Sequence, residues 1–126
     1  MASNALDDSY LRSLLEHDEV EMSVVFSDPH LPDNPMIFVS DEFEGQTGYS
    51  PDEATGQNCR FLQGPLTNPH AVEAIRQGLK AETRFTIDIL NYRKDGELFL
   101  NRLRIRPIYD DDGRLMFFAG AQNPLN

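Results

Sequence analysis

The chain of 126 residues contains little cysteine, little positive charge and no long apolar run. Its single cysteine, Cys59, cannot form an internal disulfide and excludes the usual multi-cysteine zinc site. Only 11 lysines and arginines stand against 21 aspartates and glutamates, which gives a formal net charge of −10. Nucleic-acid affinity depends mainly on clustered basic side chains, so we expect no nucleic-acid partner. No apolar stretch approaches the roughly 20 residues of a membrane span, so we expect no membrane partner.

The compartment and the number of domains follow from similar absences. Residues 1–22 are acidic where a secretion signal would be basic and then apolar, which together with the lone thiol predicts a reducing cytoplasm. The three histidines, His17, His30 and His70, show no ligand spacing, so no metal is expected. The length suits one globular unit, and we expect no attached effector domain.

Apolar residues recur at helical spacing near the N-terminus, after Asp8 and Ser9 as candidate helix caps. These apolar residues are Leu11, Leu14, Leu15 and Met22. The pattern predicts a helical cap over residues 1–22 that leads into a domain over residues 23–126. Two interpretations of its leucine face stay open: the helix covers the domain, or it meets another copy of the chain in a homodimer.

Two early strands and three late strands are predicted on either side of a group of short helices. The strands cover residues 23–27, 35–39, 84–93, 98–108 and 115–122, and glycine-containing turns join the last three. This order predicts an α+β domain: a five-stranded antiparallel sheet carries short helices on one face, and the N-terminal helix flanks it.

Local signals also predict where the short helices begin. Ser40 is expected to cap a helix that runs through Phe43, and Ser50 precedes Pro51 in a capping-box pattern. Asn68 opens a further helix in which Val72, Ile75 and Leu79 share one face. Gly78 is a weak point near the end of that helix, because glycine is a poor helix former.

Each late strand carries one carboxamide, Asn91, Asn101 or Gln122, on a face that is otherwise apolar. The neighbours on these faces are Phe85, Ile87 and Ile89, then Phe99, Leu103 and Ile105, then Met116, Phe118 and Gly120. A buried amide without a partner costs about 1–3 kcal/mol, so the three predict a polar occupant of a shared cavity, unless they satisfy one another or reach solvent. Amides both donate and accept, which suits a flat heterocycle such as a flavin ring.

The run GQNCRFLQ, from Gly56 to Gln63, closely resembles the flavin-binding signature of LOV (light-oxygen-voltage) domains, a family within the PAS superfamily. The segments LPDNPMIFVSDEF, TGYS, GPLTNPHAVEAIRQGL, ILNYRKDGELFLN and FFAGAQ match the family in the same order. The resemblance spans Val24 to Asn123. It implies a PAS fold, FMN as cofactor and blue-light sensing without enzymatic activity, as in bacterial short LOV photoreceptor proteins.

Two residues carry the photochemistry that the resemblance implies. Cys59 matches the cysteine that attacks the C4a carbon of the light-excited flavin in a reversible adduct. Taken alone, a solitary cysteine is more often an inert buried residue, and the motif reverses that expectation. Gln122 matches the glutamine near flavin O4 and N5, whose amide responds when adduct formation protonates N5. The implied relay runs from Gln122 to the N-terminal cap or to a dimer interface.

The family's other flavin contacts also have matching positions in this chain. Arg60 and Gln63 match residues that hold the phosphate and the ribityl tail, and Arg76 matches a second phosphate-binding arginine, which favours FMN. Asn91 and Asn101 match the pair at the pyrimidine edge of the ring. Further matching positions around the cofactor are Val25, Ser27, Asn34, Met36, Asn58, Leu62, Ile75, Leu103 and Phe118. Met36, Ser27 and Leu103 depart mildly from the commonest residues, which affects the expected kinetics and not the photochemistry.

Two other functions are compatible with parts of this pattern. A flavin-binding redox sensor of the PAS type would use the same cavity, with Cys59 incidental. A thiol enzyme that pairs Cys59 with His70 is disfavoured, because no orienting third residue is evident. For the photoreceptor, we expect signalling through an unidentified downstream protein or through a change in the chain's own dimer.

Overall fold

The computed structural model of the protein describes residues 8–125, with five strands in one antiparallel sheet of spatial order β2-β1-β5-β4-β3. The strands are β1 (Ser23–Ser27), β2 (Met36–Val39), β3 (Phe85–Tyr92), β4 (Leu98–Tyr109) and β5 (Leu115–Pro124). The helices are α1 (Asp8–Ser13), α2 (Glu42–Thr47), α3 (Pro51–Ala54) and α4 (Pro69–Ala81), with 3-10 turns at His17–Glu19 and Cys59–Leu62. The predicted α+β architecture is confirmed. Within residues 8–125, no helix has both the length and the apolar character of a membrane span.

The sheet separates two apolar clusters because successive side chains on a strand point to opposite faces. The inner cluster lies under the short helices and contains Val25, Met36, Val39, Phe43, Ala54 and Leu62. The outer cluster contains Leu11, Val24, Phe26, Phe38, Ile108, Phe117, Ala119 and Ala121. The short helices therefore cover the inner face, and the N-terminal segment covers part of the outer face.

The N-terminal cap differs from the single amphipathic helix that the spacing predicts. Within the described residues it is split into α1 and the 3-10 turn, and α1 begins at Asp8, so Asp8 and Ser9 lie inside the helix and do not precede it. Leu11 is nonetheless buried against the outer cluster of the same chain. The leucine face thus covers this domain, as one of the two interpretations proposed. Residues 1–7 of the predicted cap lie outside the described residues, and the division at residue 23 stays a prediction.

Ion pairs fasten the N-terminal segment to the outer face of the sheet. Arg106 on β4 donates from Nε and Nη2 to the two carboxylate oxygens of Glu19, at 2.9 and 2.7 Å, and both side chains are buried. Two exposed pairs, Arg84 with Glu16 at 2.7 Å and Asp18 with Arg104 at 2.5 Å, extend this contact. The predicted helix spacing gave no indication of these pairs, since their partners are more than 65 residues apart in the sequence.

Among the helices after β2, the capping signals were right at two and wrong at one. Ser50 accepts a hydrogen bond from the backbone of Glu53 in a complete capping box, and Asn68 caps α4. Ser40 does not cap α2; its hydroxyl accepts instead from the backbone nitrogen of Val24, at 2.9 Å, and α2 begins at Glu42. Ser40 therefore joins the chain after β2 to β1.

Gly78 has a packing role that its low helix propensity hides. The helix α4 continues beyond it to Ala81, and the ring of Phe85 packs directly over it. A side-chain carbon at this position would overlap the ring. The glycine thus allows α4 to lie close to the start of β3.

Met116 does not lie on the cavity face as the strict alternation predicted. In the β4–β5 ladder Tyr109 opposes Leu115 while Ile108 opposes Phe117, so Met116 is the extra residue of a β-bulge. Its side chain packs with the outer cluster. The extra residue shifts the alternation, which sequence periodicity alone does not reveal.

Candidate functional site

A cavity of about 250 Å³ lies between the inner face of the sheet, the 3-10 turn at Cys59–Leu62 and α4. The sequence-predicted site residues that line it are Val25, Ser27, Asn34, Asn58, Cys59, Arg60, Leu62, Gln63, Ile75, Arg76, Asn91, Leu103, Phe118 and Gln122. A concave, mostly apolar site with a few converging polar groups is typical of small-molecule binding. The structure therefore brings these predicted residues together around one cavity.

Two predicted site residues, Asn101 and Met36, lie behind the cavity wall. Asn101 is fully buried and reaches the cavity only through the amides that it contacts. Met36 is also fully buried and packs in the inner cluster, to which Cys59 is adjacent. Ser27 opposes Met36 at a bulge in the β1–β2 ladder, and Ser27 lines the cavity. Asn101 and Met36 thus support the wall from behind, and their direct contact with a cofactor stays a prediction.

Cys59 is the first residue of the 3-10 turn that borders the cavity. The side chain of Asn58 caps this turn by accepting from the backbone nitrogen of Arg60, at 3.0 Å. The same side chain donates to the carbonyl of Asp33, at 2.7 Å, which ties the turn to the loop before β2. The turn thus fixes where the thiol meets the cavity.

Burial raises the pKa of the Cys59 thiol to about 12. The thiolate is the nucleophilic form of cysteine, and burial keeps the thiol protonated in the dark at pH 7. Such a thiol suits a reaction in which an excited cofactor supplies the driving force. His70, the partner that a thiol enzyme would need, is exposed and does not line the cavity.

The three carboxamides form one hydrogen-bonded group with Asn101 at its centre. The amide nitrogen of Asn101 donates to the side-chain oxygens of Asn91, at 3.1 Å, and of Gln122, at 2.5 Å. Its oxygen accepts from the backbone nitrogen of Asn123, at 3.0 Å. The amides therefore satisfy one another in part, which was one of the two sequence interpretations, while Asn91 and Gln122 still face the cavity.

One polar atom of the cavity wall needs a partner. The side-chain oxygen of Asn34 is buried, and among the described residues nothing donates a hydrogen bond to it. Asn34 is held in the left-handed region with φ of 48°. A buried acceptor without a donor costs about 1–3 kcal/mol, so a ligand with hydroxyl or N–H groups fits this wall. The mixture of apolar surface, amides and this acceptor fits a flavin.

Arg60 and Arg76 line the cavity where it meets solvent. Their side chains are 58% and 76% exposed, and each is paired with a carboxylate, Asp33 for Arg60 and Glu73 for Arg76. The carboxylates hold the pKa of each guanidinium above its usual value, so both side chains stay charged. Two permanent cations at one end of an apolar cavity suit a ligand with an anionic end.

Some apolar residues that line the cavity were not named as cofactor contacts from the sequence. The cavity also contacts Val72, Leu79, Ile89, Ile105, Ala119 and Gly120. Most of these had been assigned to the right helix face or strand face, and that periodicity was the available signal. Ala119 is the exception, because its side chain packs in the outer cluster.

Comparison with known proteins first gives the class. Residues 21–123 match the family model described as a PAS domain. The match covers the sheet and the helices around the cavity. The fold and the site therefore define a PAS domain.

Solved structures then narrow the family. A structure from work on a flavin analogue and the light-oxygen-voltage domain mechanism is 41% identical, with a TM-score of 0.85, and the match covers 98% of this chain and 89% of that chain. The LOV domain of a blue-light-activated histidine kinase from Erythrobacter litoralis is 39% identical, with a TM-score of 0.80 over 84% of this chain and 97% of that one. This chain belongs to the LOV domains of the PAS superfamily.

Curated relatives include much longer proteins. A blue-light-activated histidine kinase of Brucella anthropi is 50% identical over 101 residues, which are 80% of this chain and 21% of the relative. Blue-light-activated histidine kinase 1 of Erythrobacter litoralis is 45% identical over 104 residues, 82% of this chain and 29% of the relative. The chain thus spans between a fifth and a third of the length of these curated relatives.

Proposed function

We propose that the chain is a blue-light sensor that binds FMN and bonds to it reversibly through Cys59. The observation that carries the proposal is one cavity in which the lone thiol, two of the strand carboxamides, Asn91 and Gln122, and two arginines meet. Family membership adds support, since relatives of this chain are named as blue-light-activated proteins. Bound flavin supplies the photochemistry; the protein holds the ring and delivers the thiol.

Each part of the cavity has a role in this proposal. Asn91 and Gln122 orient the polar edge of the ring, while Asn101 holds both amides in place through its two hydrogen bonds. Leu62 and Phe118 confine the ring between apolar surfaces. Cys59 would supply both parts of the addition: the sulfur that bonds to the ring and the proton released from its S–H bond, while bound flavin would supply the light-driven chemistry. The thiol is protonated before illumination because burial raises its pKa to about 12, so this proton is available.

The signal is proposed to leave the cavity through β5. Gln122 faces the cavity, whereas its neighbour Ala121 belongs to the outer cluster, as does Leu11 of the N-terminal segment. A new hydrogen-bond partner for Gln122 would alter strand β5, against which the N-terminal segment packs. The output is a change in this cap or in a homodimer that contacts an unidentified downstream protein. We place the protein in the cytoplasm and assign it no enzymatic activity of its own.

The test is a visible absorption spectrum of protein purified in darkness, taken before and after blue light. We expect blue light to replace the structured absorption band of the flavin in the blue region with a single near-ultraviolet band. The original band should return in the dark. Cys59→Ala is the matched variant, because it removes one sulfur atom and leaves the cavity otherwise intact. It should stay yellow and lose the light-induced change.

Other outcomes would contradict the proposal at different points. A colourless protein that cannot be reconstituted with FMN would remove the cofactor from it. Photoreduction that persists unchanged in Cys59→Ala would favour the redox sensor. To follow the signal, hydrogen exchange of the backbone amides in residues 8–22 should increase with light in the unmodified protein. It should respond less in Gln122→Leu, a variant that retains the thiol.

A further inference from the structure

Both arginines at the open end of the cavity are already paired with carboxylates of this chain. Arg60 donates from Nη2 to the carboxylate of Asp33. Arg76 donates from Nη2 and Nε to one oxygen of Glu73, at 2.6 and 3.2 Å. The four side chains carry two positive and two negative charges. An anionic group at this end of the cavity would therefore meet a cluster with no net charge.

Further contacts hold the backbone at Asp33 and the carboxylate of Glu73. The carbonyl of Asp33 accepts from Asn58, and its backbone has a φ of 68°, in the left-handed region that precedes the cavity-lining Asn34. The second carboxylate oxygen of Glu73 accepts from Gln77, at 2.6 Å, one turn further along α4. A second contact thus orients the carboxylate of Glu73, whereas Asp33 is positioned through its backbone.

This arrangement has a direct electrostatic consequence for a ligand that ends in a phosphate dianion. The arginines attract the dianion, whereas the neighbouring carboxylates repel it. The phosphate also competes with the carboxylates for the guanidinium N–H donors. All four groups are solvent-exposed, so water and salt reduce every one of these terms. The phosphate therefore adds less to affinity than two unpaired arginines would allow.

We propose that Asp33 and Glu73 determine how strongly the cavity discriminates between flavins with and without a terminal phosphate. This inference rests on the proposed flavin binding and assigns the carboxylates a specificity role that opposes the two arginines. In the unmodified protein the preference for FMN over riboflavin is smaller than two unpaired arginines would give. Removing either negative charge increases that preference, and it does so through FMN alone, because riboflavin has no charged group to repel.

The experiment measures the Kd of FMN and of riboflavin separately, by quenching of flavin fluorescence on titration with cofactor-free protein. The variants are Asp33→Asn and Glu73→Gln, which keep side-chain size while removing the charge, and asparagine still tolerates the left-handed backbone. Asp88→Asn is the matched control, because it removes an equivalent exposed partner, that of Arg102, from a pair outside the cavity lining. All four proteins are compared at about 20 mM salt and at about 0.5 M, where screening is several times stronger.

At low salt we expect each cavity variant to bind FMN about three- to tenfold more tightly, as removal of one nearby unit charge predicts in a solvated site. Riboflavin affinity should stay within about twofold, and Asp88→Asn should change neither ligand by more than that. The gain for FMN should shrink at high salt.

Two results would overturn the inference, and they are distinguishable. If both flavins bind the unmodified protein but FMN binding is unchanged or weaker in Asp33→Asn and Glu73→Gln, the carboxylates merely orient the arginines. If neither flavin binds the unmodified protein, the proposed function fails and the inference falls with it. The two variants lie on separate elements, so a folding defect in one, seen by circular dichroism, leaves the other as the test.

Discussion

Removing Arg106 should destabilise the protein far more than removing Arg102, although both arginines lie on β4 and make paired contacts with a carboxylate. Arg106 is 8% exposed and Glu19 3% exposed. Arg106 also donates to the carbonyl of Leu14, at 2.7 Å. In Arg106→Ala, the carboxylate of Glu19 stays buried without its cationic partner, and the Leu14 carbonyl loses a donor.

The magnitude follows from this burial. Loss of one partner from a buried ion pair typically costs about 3–5 kcal/mol, because the other charge is left uncompensated. In a domain of this size each kcal/mol lowers Tm by about 4 °C, so Arg106→Ala should lower Tm by about 12–20 °C. The pair of Arg102 with Asp88 has similar distances, 2.8 and 3.0 Å, but its side chains are 47% and 40% exposed. Its removal should cost at most about 1 kcal/mol.

Thermal unfolding followed by circular dichroism measures both changes, with all proteins in the same cofactor state. The double variant Glu19→Ala with Arg106→Ala should recover part of the loss, because no charge then remains buried alone. Equal Tm values for Arg106→Ala and Arg102→Ala would refute the reasoning. A double variant that is clearly less stable than Arg106→Ala would also refute it, because removing the unpaired Glu19 carboxylate should restore stability.

Three further predictions concern packing, thiol reactivity and pH. Gly78→Ala should destabilise the domain by about 1–3 kcal/mol in urea unfolding, because the added methyl overlaps the Phe85 ring; an unchanged midpoint would show that the ring moves freely. Alkylation of Cys59 in cofactor-free protein should accelerate about tenfold per pH unit from about pH 7 to pH 9.5, because burial raises the pKa of the thiol; a plateau near pH 8.5 would mean that the thiol is solvated. Hydrogen bonding from Arg84 lowers the pKa of Glu16 to about 2, so this pair stabilises the fold above pH 4.5 and the contribution is lost as pH falls towards 2. Glu16→Gln should therefore lower the free energy of unfolding at pH 7 by under about 1 kcal/mol, since the pair is exposed, and by much less at pH 2. An equal effect at the two pH values would contradict this.

Much of the fold was predictable because its signals are local. Period-two alternation located β3, β4 and β5 to within one or two residues, and the capping box at Ser50 is formed as its sequence indicates. The prediction for Ser40 was wrong because its hydroxyl found a backbone donor on another strand, Val24, which local propensity does not report. Met116 was misplaced because a bulge adds one residue to β5 opposite β4.

The candidate site was predictable for a different reason. The LOV motif identified polar residues that are distant in sequence, and strand pleating independently placed Asn91 and Gln122 on the cavity side. What neither source revealed was the part that Asn101 plays. It is the buried centre that joins the other two amides, a position set by the register of β3 and β5 against β4.

The class of fold, the order of the strands along the chain and the polar side chains that line the cavity could be predicted from the sequence. Each of these depends on residue type and short spacing, which a single chain displays directly. The pairing of Arg106 with Glu19, in contrast, depends on three-dimensional packing, as do the split of the N-terminal cap and the contacts of Arg60 and Arg76 with Asp33 and Glu73. Charged groups choose partners by distance and burial in three dimensions, and an acidic chain offers each arginine many candidates that sequence spacing cannot rank.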